Sequence, residues 1–210
     1  MKIIGPAART SYYFRNMRGL NSYWKLHYMV KCKSTENELS KLLINSGIKR
    51  NQPIAIISRE QISGSGQNLR FWFSPRGGIW LSAAYPIFSK TFSSEIFSLS
   101  LAIQLCQMLK QENINCDLKW PNDILVNSKK LIGFLPRVIT RGKETKYVRI
   151  GLGMNVNNKT PSEGISLGQV IKTKNISEYY WTAKILHALQ NAIFINSKKK
   201  YIIQEANTFL

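Results

Sequence analysis

The chain has 210 residues, 44% of them hydrophobic, enough for one sizeable core and too apolar for a disordered chain. Its formal net charge of +19 suits nucleic acid, an acidic partner or a phosphate-rich substrate, yet the charges are scattered rather than striped, as composition bias alone would leave them. No apolar run approaches the roughly 18–20 residues of a membrane helix, Gly5-Pro6 interrupts any signal-peptide core, and Cys32, Cys106 and Cys116 lack metal-ligand spacing, so the reading is a cytoplasmic protein without a disulfide framework.

Residues 1–24 are basic and aromatic without periodicity and read as an irregular arm. Trp24, Leu26, Tyr28 and Val30 then alternate with Lys25, His27 and Met29, the period of a strand. Thr35 and Glu38 have capping-box spacing, and Leu39, Leu42 and Leu43 form the apolar face of a short helix that Gly47 stops. Residues 53–57 suit a short buried strand. The stretch from Ser63 to Gly78 is polar and glycine-containing, and loops of such length in a compact domain are usually functional. Ile79 to Tyr85 reads as a strand, and Ser93 or Ser94 caps a largely buried helix reaching Leu109. Four strand-like runs follow, over 118–120, 124–126, 131–139 and 147–156, with turn residues at Asn127-Ser128 and Arg141-Gly142. An amphipathic helix over 177–195 comes last, with Lys198-Lys199-Lys200 at a helix end where cations complement the dipole. Strands in a run with helices inserted predict an α+β fold, a mostly antiparallel sheet flanked by helices.

Three segments have residue types suited to chemistry. In Gln61 to Trp72, Gly64 and Gly66 let backbone N–H groups approach a phosphate and Arg70 adds a planar cation, although a lone Gly-x-Gly is equally a structural turn. Lys119-Trp120-Pro121-Asn122-Asp123, with Lys130-Leu131-Ile132-Gly133 after it, gathers cations, an amide and a carboxylate, the makings of either a site or a surface salt bridge before a hairpin. In Ile150 to Asn157, Gly151 and Gly153 mark either a bulge or a place where a flat ligand lies against the backbone.

Together with Trp72-Phe73-Ser74-Pro75-Arg76-Gly77-Gly78, and in this order, these segments resemble the catalytic domain of biotin–protein ligases over residues from about 25 to 195. Ser34-Thr35 looks like that family's Ser-Thr-Asn, with Glu36 in place of Asn. The family loop Gly-Arg-Gly-x-x-Gly-Arg is altered here: Ser65 replaces the first Arg, Leu69 replaces the third Gly, Gln67 and Asn68 fill the variable pair, and only Arg70 keeps its charge.

The resemblance implies ATP and biotin as substrates, with Mg²⁺ on the triphosphate, and as partner the biotin carboxyl carrier domain of acetyl-CoA carboxylase, with neither membrane nor DNA. It implies catalytic roles for Lys130, at the biotin carboxylate and α-phosphate, for Lys119 and Arg70, supporting the phosphates, and for Asp123, a base or orienting group. Ser34, Thr35, Gln61 and Gly64 would face the ureido group. Ser65, Gly66, Gln67, Trp72 and Gly133 would complete the substrate site, and Asn122 and Asn155 would face the nucleotide. No residues are assigned to a resident metal. The expected organisation is the arm over 1–24 and a catalytic domain over 25–210, without the DNA-binding module or C-terminal β-barrel of many relatives. A lipoate- or octanoate-transferring enzyme of the same superfamily, or a basic nucleic-acid-binding protein, is the alternative.

Overall fold

Residues 54–58 are buried on both sides, whereas in 148–154 the buried apolar residues alternate, so the sheet has two covered faces of unequal size. The computed structural model describes residues 5–17, 24–45, 52–88, 92–93, 96–141 and 144–209. Its elements are α1 (Pro6–Arg15), β1 (Lys25–Met29), α2 (Thr35–Asn45), β2 (Ile54–Ser58), the short strands β3 (Gly64–Ser65) and β4 (Phe71–Trp72), β5 (Ile79–Pro86), α3 (Phe97–Lys110), β6 (Asp117–Lys119), β7 (Asp123–Val126), β8 (Lys129–Arg141), β9 (Glu144–Met154), α4 (Leu167–Val170), α5 (Glu178–Ile195) and α6 (Lys199–Ala206). Seven strands form one sheet in the order β1-β2-β5-β9-β8-β7-β6, and β3 pairs with β4 separately. Only β1 and β2 run parallel; the other pairs are antiparallel, as the run of strands predicts.

On one face, Leu101, Leu105 and Leu109 of α3 and Trp181, Ile185 and Leu189 of α5 pack against Leu81, Ile132, Ile150 and Leu152. Each such side chain stabilises the fold by about 1.5–3 kcal/mol on burial. The other face carries α2, whose Leu39 packs on Ile54, Ile56 and Ala84, and Trp72 of β4. That leaves most of the β9–β8–β7 surface open for a site. The turn between β7 and β8 is made, as expected, by Asn127 and Ser128, at φ 51° and 59°.

Four local expectations are corrected. Within the supposed irregular arm, residues 6–15 form a helix with Pro at its start, and Thr10 and Phe14, one turn apart, face inward. Thr10 Oγ1 lies 2.5 Å from Tyr28 Oη, and Phe14 joins the main core; two inward residues made too narrow a stripe for periodicity to reveal. The capping box at Thr35 and Glu38 does not form. Ser34 starts α2 instead, its Oγ accepting from the Glu36 N–H at 3.3 Å and its carbonyl from the Glu38 N–H at 3.1 Å, because the Thr35 hydroxyl turns inward. Ser93 does not cap α3: its N–H donates to Asn196 Oδ1 at 2.6 Å, and Ile96 precedes the first turn. The Lys198-Lys199-Lys200 run begins α6 rather than ending α5, placing cations at the positive end of a helix dipole. Burial of Ile202 and Ala206 against Ile103 outweighs that modest penalty. Gly47, Ser94 and Gly142 lie outside the described residues.

Candidate active site

Strand register sets one row across the open face: Ser58, Trp80, Gly153, Gly133, Asp123 and Lys119 are successive cross-strand partners. Directly opposed residues project to the same side of a sheet, so two adjacent glycines form a flat floor between an indole and a carboxylate. Trp72, delivered by β4, lies on that floor. A Cβ at Gly153 would come within 2.5 Å of Trp72 Nε1, and one at Gly133 within 2.8 Å of Trp72 Cζ3. The flat group lying against these glycines is thus the protein's own side chain.

Lys130 Nζ stands 4.6 Å from the centre of the Trp72 ring and 2.7 Å from Asp123 Oδ1. The indole face and the carboxylate hold the ammonium from two directions, and with 28% of its side chain exposed it still reaches an incoming anion. A register shift between Ile124 and Leu125 in the β7–β8 pair lies beside Lys130, and such irregularities re-aim side chains. The Lys130 backbone is fixed on both sides. Its N–H donates to the Glu163 carbonyl at 2.9 Å, and its carbonyl accepts from the Ile165 N–H at 3.0 Å and from Asn155 Nδ2 at 3.2 Å. Buried Asn158 donates to Asn155 Oδ1 at 2.9 Å, which sets the amide's orientation.

The next row along the strands is Ile56, Ser82, Gly151 and Leu135. A Cβ built at Gly151 meets nothing within 4 Å, so a slot opens there beside Trp72. At its flank, Thr35 donates to Gln61 Oε1 from its backbone at 2.8 Å and from its hydroxyl at 3.0 Å. With the Thr35 proton used, the 2.9 Å contact to Ser82 Oγ requires Ser82 to donate. Gln61 Nε2 donates to Ser74 Oγ at 2.9 Å, and Ser74 Oγ donates to the Trp72 carbonyl at 2.9 Å. One directed chain therefore joins the start of α2 to the strand that carries Trp72. Gly64 fits under it because a Cβ there would lie 2.5 Å from both Ser74 Oγ and the Trp72 carbonyl.

Two groups of the expected residues are in mutual contact: Lys130, Asp123, Trp72 and Gly133, and, joined to them through Ser74, Thr35, Gln61 and Gly64, with buried Ser34 next in chain. Asn155 lies behind Lys130 rather than beside it, and the Asn122 carbonyl accepts from the Phe134 N–H at 2.9 Å. Lys119 is exposed at the end of the row. Ser65, Gln67 and Arg70 are exposed on the hairpin loop, and no hydrogen bond or ion pair among the described residues joins them to Lys130. The expectation of a free donor at Gly66 is corrected, since its N–H is used by the Arg70 carbonyl at 2.7 Å. Ser82 and Asn158 escaped sequence reasoning, and Ser74, though inside a quoted motif, received no role, because a buried hydroxyl or amide in a network has no local periodicity to mark it. Among the described residues, no group of three or more His, Cys, Asp or Glu side chains could hold a metal, and no helix is long and apolar enough to cross a membrane.

The model of the biotin/lipoate A/B protein ligase family matches residues 29–155. The bifunctional ligase/repressor BirA of Bacillus subtilis is 32% identical over 106 residues, 50% of this chain and 33% of that protein. The human biotin–protein ligase is 29% identical over 116 residues, 52% of this chain and 16% of that protein. The chain thus spans a third or less of the length of these relatives. Among solved structures, the Aquifex aeolicus biotin protein ligase in complex with biotin and ATP superposes with a TM-score of 0.65 at 22% identity, covering 83% of this chain and 72% of that one. The Leishmania major biotin protein ligase in complex with biotinyl-5-AMP gives 0.66 at 20%, covering 89% and 81%. At such identities these two likenesses show a shared fold.

Proposed function

The chain belongs to the biotin/lipoate A/B protein ligase family, and from that premise we propose that it forms biotinyl-AMP from biotin and ATP and transfers biotin to a lysine of a biotin carboxyl carrier domain. The observation that carries the reading is the Lys130 ammonium, held between Asp123 and the Trp72 ring at the edge of the Gly151 slot. That the relatives above are biotin–protein ligases or ligase/repressors favours biotin over lipoate.

A carboxylate is a poor electrophile and must be activated. One of its oxygens attacks the α-phosphorus, the bond to the β-phosphate breaks, and pyrophosphate leaves. Negative charge grows beside Lys130, whose fixed ammonium stabilises it without rearrangement. Mg²⁺ arrives on the triphosphate, which matches the ion's habit of binding through phosphates and few carboxylates. Biotin's rings fill the slot over Gly151, with the ureido group toward Thr35, Gln61 and Ser34. Asn155 acts by holding the Lys130 carbonyl, and Asn122 faces the nucleotide. In the second step the acceptor amine attacks the mixed anhydride, AMP leaves, and Asp123 takes or steers the amine proton. Lys119 and Arg70 add positive potential at the mouth. The acceptor is the carrier domain of a cytoplasmic acetyl-CoA carboxylase.

The test is biotin-dependent exchange of labelled pyrophosphate into ATP, with lipoate and octanoate as competitors and Mg²⁺ withheld in a control. Exchange that requires biotin and Mg²⁺ supports the reading. Folded protein with no exchange above a protein-free control overturns it.

A further inference from the structure

Lys130 sits beside the register break of the β7–β8 pair, so the place of its ammonium depends on what holds its backbone. Its carbonyl takes two donors, the Ile165 N–H and Nδ2 of Asn155. Only one orientation of the Asn155 amide supplies the second; turned over, it would set Oδ1 against the carbonyl oxygen. Asn158 decides that orientation. It is 5% exposed, and its Nδ2 donates to Asn155 Oδ1 and to the Lys159 carbonyl, each at 2.9 Å, while its Oδ1 accepts from the Val156 N–H at 3.0 Å. A turned Asn158 would oppose donor to donor at Val156 and oxygen to oxygen at the other two, so its own orientation is fixed as well. The loop after β4 pins the residue from outside. Gly77, at φ 98°, packs so closely that a Cβ there would lie 2.9 Å from the Asn158 nitrogen, and its carbonyl accepts from the Asn157 N–H at 2.6 Å.

We propose that Asn158 is a positioning residue for the activation step: by fixing the Asn155 amide it holds the Lys130 backbone, and through it the ammonium, where negative charge develops. The assignment rests on the reading above that Lys130 stabilises the reacting phosphate. Asp123 and the Trp72 ring hold the lysine only at its tip, and Asp123 gives up part of that hold when a substrate anion takes a share of the ammonium. The asparagine pair holds the residue at its root, and nothing in the reaction competes for those bonds. Asn158 offers a substrate no free donor, because both Nδ2 hydrogens are used, so it acts through Asn155 and Lys130. A reacting group keeps its geometry through such supporting bonds, and a displacement of about 1 Å costs about a hundredfold in rate.

The decisive variant is Asn158→Asp, assayed at pH 8, about four units above an ordinary aspartate pKa. It keeps the shape and the acceptor for Val156 but sets an oxygen against Asn155 Oδ1, so the Asn155 amide turns its Nδ2 away from Lys130. Biotin-dependent pyrophosphate exchange is measured in a double-mutant cycle with Lys130→Ala, beside thermal unfolding of each protein. In the wild-type background Asn158→Asp lowers kcat at least about tenfold with the biotin KM within about threefold; in the Lys130→Ala background the same change alters kcat by less than about twofold. A structural defect unconnected with Lys130 would lower the rate by the same factor in both backgrounds, and that result overturns the assignment. So does a folded Asn158→Asp protein with kcat within about twofold of wild type. If Asn158→Asp does not fold, Asn158→Ser decides in the same cycle, because its hydroxyl is too short to serve Val156 and Asn155 together. A loss confined to the background that keeps Lys130 supports the positioning role, and a wild-type kcat overturns it. A Lys130→Ala protein with the wild-type exchange rate overturns the function reading and this inference together, whereas a slow Lys130→Ala protein with equal losses in both backgrounds overturns the positioning role alone.

Discussion

The Asp123 carboxylate lies 2.7 Å from the Lys130 ammonium, so the acid and the cation of the site form one ion pair across the β7–β8 turn before any substrate arrives. The pair is largely but not fully withdrawn from water, with 28% and 19% of the two side chains exposed. It therefore orients a charge more than it stabilises the fold. In the proposed reaction a substrate anion would share Lys130 with Asp123, leaving the carboxylate freer to meet the acceptor amine.

Replacing Lys130 with Ala should slow adenylate formation by about 2.7–4 kcal/mol, the cost of removing one fixed donor from a developing oxyanion. Asp123→Asn keeps a side chain of the same shape but no base, and should harm transfer at least as much as adenylation. Pyrophosphate exchange reads the first step, and single-turnover transfer from preformed biotinyl-AMP reads the second. Wild-type rates for both variants in both assays reject these roles.

The glycines of β9 make a paired prediction. A Cβ at Gly153 would press to 2.5 Å from Trp72 Nε1, so Gly153→Ala must displace the indole and should destabilise the protein by about 1–3 kcal/mol. A Cβ at Gly151 meets nothing, so Gly151→Ala should leave stability within about 0.5 kcal/mol of wild type and act on the substrate alone. Urea denaturation separates the two variants. The second should raise the KM for the acyl substrate with little change in melting behaviour; equal destabilisation by both would refute the empty slot.

These distinctions mark how much the sequence reveals. The strands from 117 onward, the Asn127-Ser128 turn and α5 are legible because alternation, positive-φ residues and a long amphipathic face are local signals. Lys130, Asp123 and Trp72 are legible as a group through motif resemblance; the β7–β8 pairing brings the first two together, and the separate β3–β4 hairpin delivers Trp72. What stays hidden is what the third dimension decides. Helix α1 has only Thr10 and Phe14 inside, and it is held by α5 and Tyr28 rather than by its own pattern. Glycine spacing in 150–157 leaves bulge and flat seat undivided until Trp72 is seen on Gly153. The reversal at Lys199 and Lys200 is a case of tertiary burial overriding a helix-dipole preference.

Ser74 offers a test of the hydrogen-bond chain. It is buried, accepts from Gln61 and donates to the Trp72 carbonyl. Ser74→Ala removes both links and strands a Gln61 N–H, which costs about 1–3 kcal/mol. Because Gln61 also receives both Thr35 donors, the variant should weaken biotin binding beyond what lost stability explains. Calorimetric titration with biotin at a temperature where the variant is fully folded checks this. Unchanged affinity would show that Thr35 keeps Gln61 in place unaided.

The hairpin loop carries the final prediction. A mixed anhydride must wait in the site until its acceptor arrives, and a loop that holds the phosphate lengthens that wait. Here the loop is short of donors. The Gly66 N–H is committed to the Arg70 carbonyl at 2.7 Å and the Arg70 N–H to the Gln67 carbonyl at 3.2 Å, and the side chains of Ser65 and Gln67 are neutral. Gln67 is exposed on the one-turn segment over residues 67–69, where a longer cationic side chain can enter without displacing the core. Guanidinium binds phosphate through two parallel charge-assisted bonds that an amide cannot match. Gln67→Arg should therefore slow release of labelled biotinyl-AMP, by an amount on the order of 1.5–3 kcal/mol at most. Arg70→Ala should speed it. If release is unchanged in Gln67→Arg and in Arg70→Ala alike, the intermediate is held by the Trp72 wall and Lys130 alone, and the loop has no part in retention.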